Sequence, residues 1–392
     1  MKLVYKAFSA AALIGLAALL FGCLTTGQTG QVSNSSTDAA YQKLGIARGS
    51  VAQREDGMRT SGAPGTYEWW YFDSTLSDGS TLVVVFYTKD NINPDSKLLP
   101  RVSLELTRPD GTKISKLVQL GADAFSASKD GCNVRIGANS FRGDLHSYTI
   151  HVSIDDVVAD VQLVGEIPSW RPGTGVTEFI HNGRTNYFAW LPAVPRGKVE
   201  GTLTVAGKSE AIIGTGYHDH NWGDVSMDKL IHDWYWGRAD IGGYSVIASY
   251  ITASDAYGNS PYSQFMLAKD GKIIADDSSK VRFTAEDVHI NSKTGKPVAN
   301  KITYDYVDGS QHYRVTFSRE RELLEARFVD MLTGMKHVLA SVAGFDGAYL
   351  RFTGSVTVEK LEGSTVVDSA SQKSAVWELM YLGHAPAGAK TN

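Results

Sequence analysis

The 392-residue chain has little cysteine: Cys23 and Cys132 are the two it contains. A fold stapled by a disulfide framework is excluded, so stability has to come from a buried core. Helical periodicity is scarce too. From Tyr67 onward no long stretch keeps a 3.6-residue apolar repeat, and a helical architecture is not expected. Positive charge is not in excess: the formal net charge is −4 and no basic stripe is visible, which removes nucleic acid as a partner. What remains is ordinary for a globular protein, with 43% apolar and 20% charged residues. Roughly 330 residues follow position 60, enough for two lobes with their own cores.

The N-terminus reads as an export signal over residues 1–22. Lys2 and Lys6 precede an apolar run from Ala7 to Phe21, shorter than the roughly 20 residues that span a bilayer. It ends in Leu20-Phe21-Gly22-Cys23, which resembles the lipobox of bacterial lipoproteins. That resemblance implies lipidation of Cys23 and an anchor in the bacterial envelope. Leu24 after the cysteine, in place of Asp, points to the outer membrane, facing the periplasm. Residues 23–60 open with a Thr, Gly, Gln and Ser-rich stretch that has almost nothing to bury, and are expected to be a flexible tether.

The body predicts strands. Leu82 to Thr88 is a buried-type run after a Ser-Asp-Gly-Ser turn, and Val102 to Thr107, Tyr148 to Ile154 and Val199 to Val205 alternate. The second half repeats this style at Tyr244 to Ile251, Ile302 to Val307, Tyr313 to Phe317 and Tyr349 to Val358. Arg319 to Asp330 is the best helix candidate, although Leu324, Ala326 and Phe328 also fit a strand. Thirty-nine glycines and closely spaced turns suit antiparallel barrels or sandwiches. A break near 224–230 divides the chain into an N-terminal lobe, 61–225, and a C-terminal lobe, 226–385.

Three aromatic-polar clusters stand out. In Tyr67-Glu68-Trp69-Trp70-Tyr71-Phe72-Asp73, strand alternation sends Glu68, Trp70 and Phe72 one way and Tyr67, Trp69, Tyr71 and Asp73 the other. An acid beside Trp70 and Phe72 would be kept protonated by desolvation, unless it pairs with a cation such as Arg. In Tyr217-His218-Asp219-His220-Asn221-Trp222, Tyr217 and Asp219 share one face, and His218 and His220 the other. A Tyr-x-Asp pair can hold and deliver a proton. His-x-His can bind zinc, with His232, Asp224 or Asp233 as a third ligand. Only two ligands are evident, so no metal is expected, and a purely structural hydrogen-bonded corner is the competing reading. In His232-Asp233-Trp234-Tyr235-Trp236-Gly237-Arg238, Trp234 and Trp236 share a face as cavity wall or plain core, and Arg238 can partner a carboxylate. Glu378, in a last strand, is either a buried partner or a solvated edge.

Together, Glu68-Trp69-Trp70-Tyr71 and Gly216-Tyr217-His218-Asp219-His220-Asn221-Trp222-Gly223 resemble the lipocalin-like hydroxyneurosporene synthase (carotenoid 1,2-hydratase) family, with its AttH-type secreted proteins. The resemblance spans residues 60 to 385. It implies an all-β chain of two lipocalin-like antiparallel barrel lobes packed together, and terpenoid, polyene or polyketide-like substrates. In the hydratases an acid protonates a C=C bond and water captures the cation; the acid maps onto Asp219, with Tyr217 beside it. The family's upstream His-x-Trp pair is matched by Phe188-Ala189-Trp190, which keeps the Trp and lacks the His.

The combined expectation is an envelope enzyme working by acid–base chemistry on a small hydrophobic substrate, without a cofactor. Asp219 is the acid, Tyr217, His218 and His220 its helpers, and Glu68 a second carboxylate. Trp69, Trp70 and Tyr71, then Trp190, Asn221 and Trp222, and finally Trp234 and Trp236 are the candidate substrate wall, able to shelter a cation. A non-catalytic lipid carrier is the alternative, because a barrel can hold a ligand without chemistry. A metal-dependent secreted hydrolase is a further one.

Overall fold

The computed structural model describes residues 29–331 and 346–383. The export signal and Cys23 lie outside the described residues. Most of the described chain is antiparallel β, in two strongly curled, lipocalin-like sheets. Among the described residues, no helix is long and apolar enough to cross a membrane.

The first sheet has thirteen strands and the second nine. In each lobe the first long strand pairs with the last one. Tyr67–Leu76 lies against Lys208–Gly223, and Ile231–Ile241 lies against Thr365–Tyr381. The 224–230 break between lobes carries a short 3-10 turn, Met227–Lys229. Arg319 to Arg327 belongs to the strand Gln311–Arg327, and a 3-10 turn, Phe328–Met331, follows. Its Leu-x-Ala alternation prevails over its helical propensity because the segment pairs with Ala348–Glu362.

Alternation explains the core. Trp70, Phe72, Val84, Phe86, Leu104 and Phe141 fill the interior of the first lobe with essentially no exposed surface. Phe265, Tyr304, Phe317, Phe352 and Trp377 do the same in the second. At Gly223, paired with Tyr67, a Cβ would sit 2.4 Å from the Tyr67 hydroxyl, so only glycine lets that ring lie across the strand. The long strand Arg184–Val205 shifts register between Leu191 and Gly197. Pro192 and Pro195 lie in this interval and have no N–H to give the ladder.

The expected tether needs correction. Gln31–Asn34 pairs with Val176–His181, and Asp38–Leu44 is a helix capped by Thr37 and closed by Gly45 in the left-handed region. Gln53–Asp56 is a 3-10 turn whose Glu55 and Asp56 are buried. Low apolar content disguises the segment: it is held by backbone pairing and polar bonds, such as Arg171 to Ala47 and Ser50 carbonyls.

Candidate active site

The pairing of Tyr67–Leu76 with Lys208–Gly223 brings the first two clusters together and sorts them by face. Phe72 opposes His218, Trp70 opposes His220, and Glu68 opposes Trp222. These six point into the first lobe. Asp73 opposes Tyr217, Tyr71 opposes Asp219, and Trp69 opposes Asn221, all on the other face. Trp190 pairs with Asn221 from the next strand and joins this outer set.

Asp219 is the centre of the outer face. Its Oδ2 accepts hydrogen bonds from Trp190 Nε1 and Tyr217 OH, both at 2.8 Å, and its Oδ1 accepts from Asn221 Nδ2 at 2.7 Å. Burial raises its pKa above the ordinary carboxylate value, and it outweighs the opposing pull of these donors and of His218. The surroundings are apolar: Trp170 and Trp190 meet edge-on at 5.6 Å, and Trp236 lies 5.8 Å from Tyr217. Burial likewise raises the Tyr217 phenol, with the Asp219 carboxylate adding to it. Trp190 also lines a cavity of about 490 Å³ with Tyr187, Leu191, Trp222 and, from the N-terminal segment, Leu44 and Ile46. That volume suits a small organic ligand.

His218, His220 and Glu68 do not reach this carboxylate; they form a separate buried network inside the lobe. Glu68 Oε1 accepts from Arg59 N and His220 Nε2, both at 2.7 Å, while Oε2 accepts from Thr60 N and Oγ1. Glu68 is thus held by backbone and side-chain partners and does not stand alone among the aromatics. His218 Nδ1 lies 2.8 Å from the Tyr71 carbonyl, which can only accept, so Nδ1 carries a proton. Its Nε2 faces Asp56 Oδ2 at 3.2 Å, and Tyr148 OH donates to that same oxygen at 2.5 Å. Burial alone would push Asp56 up, but the attraction of His218 and His220 and the bonds from His218 and Tyr148 bring it below the ordinary value.

Of the expected aromatic wall, Trp70 is core, stacked on His220 at 4.6 Å with its Nε1 on the Asp56 carbonyl. Trp222 lies beside His220. Trp69 stacks on Tyr67, and together with Trp234 it packs in a hydrophobic cluster around Met227 and Leu230. Tyr71, Trp190, Asn221 and Trp236 are the members assembled around Asp219. The possible third zinc ligands are occupied elsewhere. His232 bonds Asp233 at 2.6 Å, and Asp224 accepts from Tyr187 N.

Asp56, Cys132 and His218 do present ligand atoms within 4.8 Å of one another. Asp56 Oδ2 is already bonded, and burial raises the Cys132 thiol well above its usual pKa, which keeps it protonated. Protein purified without added metal is therefore expected to hold no stoichiometric zinc by elemental analysis. One zinc per chain, lost in His218→Ala, would reassign the cluster.

The second lobe supplies the opposing wall. Trp236, Glu378 and Arg351 lie side by side across three adjacent strands, since Glu378 opposes Trp236 on one side and Arg351 on the other. Arg238 reaches across to form an ion pair with Asp73, and its guanidinium sits 4.9 Å over the Tyr217 ring. Glu378 accepts from Tyr349 OH at 2.5 Å, and burial raises its pKa against that bond and the charge of Arg351. Sequence alternation puts Asp73 on the face of Tyr71 and leaves Glu378 as either a buried partner or a solvated edge. Nothing in sequence marks Asp56, Tyr349 or Arg351.

A Diels-Alderase-like family model matches residues 61–329. A hydroxyneurosporene dehydrogenase of Chlorobaculum tepidum is 29% identical over 45% of this chain; the match spans 54% of that relative, about half its length. A quinolone epoxide rearrangement protein of Emericella nidulans is 24% identical over 77% of this chain and 82% of its own. A Diels-Alderase of Pyricularia grisea is 23% identical, covering 77% and 74%. Among solved structures, an AttH-like protein of Nitrosomonas europaea superposes with TM-score 0.54 at 14% identity, over 86% of this chain and 98% of that one. The crystal structure of CghA gives TM-score 0.55 at 14% identity, over 85% and 96%. These structures share the two-lobed lipocalin-like fold.

Proposed function

The chain belongs to the Diels-Alderase-like family, and from that premise we propose that it is an enzyme acting on a C=C bond or epoxide of a small hydrophobic substrate, of terpenoid, polyene or polyketide type. Asp219 carries the reading: a carboxyl whose pKa burial raises, fixed by three side-chain donors among tryptophans and flanked by a tyrosine. Its Oδ2 is filled by two donors, so a catalytic proton sits on Oδ1. Rotation of the Asn221 amide offers that proton an acceptor until substrate replaces it. Transfer to the substrate double bond or epoxide oxygen generates a cation that Trp190 and Trp236 shelter. Capture by water gives hydration and capture by a second double bond gives ring closure, each completed when the cationic adduct returns a proton to the Asp219 carboxylate. The reaction names of the family relatives, epoxide rearrangement and Diels–Alder cyclisation, support chemistry on such groups.

Turnover in deuterium oxide tests this reading. A panel of polyene substrates is expected to yield products with one deuteron on carbon, delivered from exchanged Asp219. Products formed without deuterium would replace proton transfer with a purely pericyclic role. The carrier alternative draws less support, because Trp70, Phe72 and Phe86 pack the interior of the first lobe. A lipid on Cys23 would hold the enzyme in the envelope, at the periplasmic face of the outer membrane. Cys23→Ala is then expected to shift the protein from the membrane to the soluble fraction; identical fractionation of mutant and wild type would refute the anchor.

A further inference from the structure

The cavity of about 490 Å³ bounded by Trp190, whose indole N–H holds Asp219, has apolar walls of two kinds. Trp190 and Leu191 belong to the long strand Arg184–Val205 and are almost fully buried in the packing of the first lobe. Leu44 and Ile46 come instead from the N-terminal segment: Leu44 keeps 40% of its surface exposed, and Ile46 is half-buried. The charged groups on the same walls are already engaged. Arg171 pairs with Glu55 and Lys43 with Glu178, Asp224 accepts from Tyr187 N, and Arg54 and Arg59 donate to the carbonyls of Gly45 and Gly57. The surface left for a ligand to cover is chiefly hydrocarbon.

Leu44 and Ile46 are held where they stand. Gly45, at φ +63°, closes the helix Asp38–Leu44: its N–H donates to the Gln42 carbonyl, and Ile46 N–H donates to the Tyr41 carbonyl. This double closure needs the left-handed backbone that glycine adopts without strain. Just beyond it, Arg171 donates to the Ala47 and Ser50 carbonyls, and its guanidinium lies 5.7 Å from the centre of the buried Tyr41 ring. Resizing Trp190 or Leu191 would disturb a packed core. Resizing Leu44 would not, so the strap is where the cavity can change size without cost to the fold.

We propose that Leu44 and Ile46 are specificity-determining residues, setting how long an apolar chain the cavity bounded by Trp190 accepts. The inference rests on the proposed function above and adds a division of labour to it. Chemistry sits on the strands of the first lobe, and selection by size sits on a strap that precedes residues 61–329, the part matched by the family model.

Straight-chain primary alcohols from hexanol to tetradecanol, titrated calorimetrically into the full chain, serve as rulers. Each methylene that enters an apolar cavity tightens binding about fourfold, until the cavity is full. Wild-type protein is expected to show that climb and then a break. With Leu44→Trp and Ile46→Trp combined, the break should move at least two carbons shorter, and the longest alcohols should bind about tenfold or more weaker. Leu44→Ala with Ile46→Ala should move it longer. Leu117→Trp, at an exposed leucine on the strand Lys113–Gln119 outside the cavity, should leave it in place. Should the doubly substituted chain melt early, Leu44→Trp alone, at an exposed position, gives the same reading. Breaks at one chain length in wild type and tryptophan variants, a break that moves equally in Leu117→Trp, or no binding of any alcohol overturns the inference. The readout is binding alone, so it separates from the acid–base reading: unmoved breaks with deuterium transfer intact remove the size selection only, and moved breaks without deuterium transfer remove only the acid step.

Discussion

Asp219→Asn is expected to fold, to bind hydrophobic ligand as the wild type does, and to lose turnover by about a hundredfold or more. The amide keeps the size of the carboxyl and still accepts from Trp190 and Tyr217 through one oxygen, but it has no acidic proton to give. The pH profile sharpens the test. An acid with a raised pKa is active while protonated, so kcat/KM of the wild type should fall as pH rises through that value. Stability moves the same way. Asp219 binds its proton more tightly folded than unfolded, so its contribution is full below the ordinary carboxylate pKa and declines as pH climbs through the raised one. Asp219→Asn lacks that slope. Unchanged turnover per folded molecule, with a large loss in melting temperature, would reduce Asp219 to a structural residue.

The largest effect on stability is expected from Asp56→Ala, on the order of 3–5 kcal/mol. The carboxylate is almost fully buried between two histidines and a tyrosine. Removing it strands His218 Nε2 and the Tyr148 hydroxyl without their acceptor and takes the nearby charge of Asp56 from His220. The pH dependence has the opposite sign to that of Asp219. Asp56 titrates below the ordinary value when folded, so its stabilisation is present above that value and is lost as pH falls through the lowered pKa. Urea melts of the wild type at neutral and acid pH should show this loss, and Asp56→Ala should be flatter across the same window. Equal melting midpoints for mutant and wild type at neutral pH would contradict the network.

Strand alternation alone places Tyr217 with Asp219, His218 with His220, and Tyr71 with Asp73, because side chains on a strand change face at every residue. It cannot say which face of one strand meets which face of another. Register decides that: it sets Glu68 opposite Trp222, within reach of His220, and so separates it from Asp219. The acidic partner of the histidines was illegible for a different reason. Asp56 sits in a 3-10 turn within a polar segment that has no apolar period to betray its burial. The Trp236–Glu378–Arg351 row is assembled from strands distant in sequence, and local pattern carries no trace of such a meeting. Arg319 to Arg327 was ambiguous until its partner strand settled it.

First-to-last strand pairing also sets the order in which the molecule can be made. Tyr71 and Asp73 meet Asp219 and Tyr217 about 140 residues later in the chain, so the proton-handling constellation is among the most non-local contacts of the first lobe. A ribosome adding about 5–20 residues per second needs roughly 7–28 s to supply the second half of that pair. During this interval the Tyr67–Leu76 strand has one edge met by its hairpin neighbour, Thr81–Tyr87, and the other still waiting. An open edge rich in tryptophan and tyrosine invites pairing with other nascent chains. Slow translation between residues 76 and 208 should therefore lower the yield of folded protein, even though it changes no residue of the finished site.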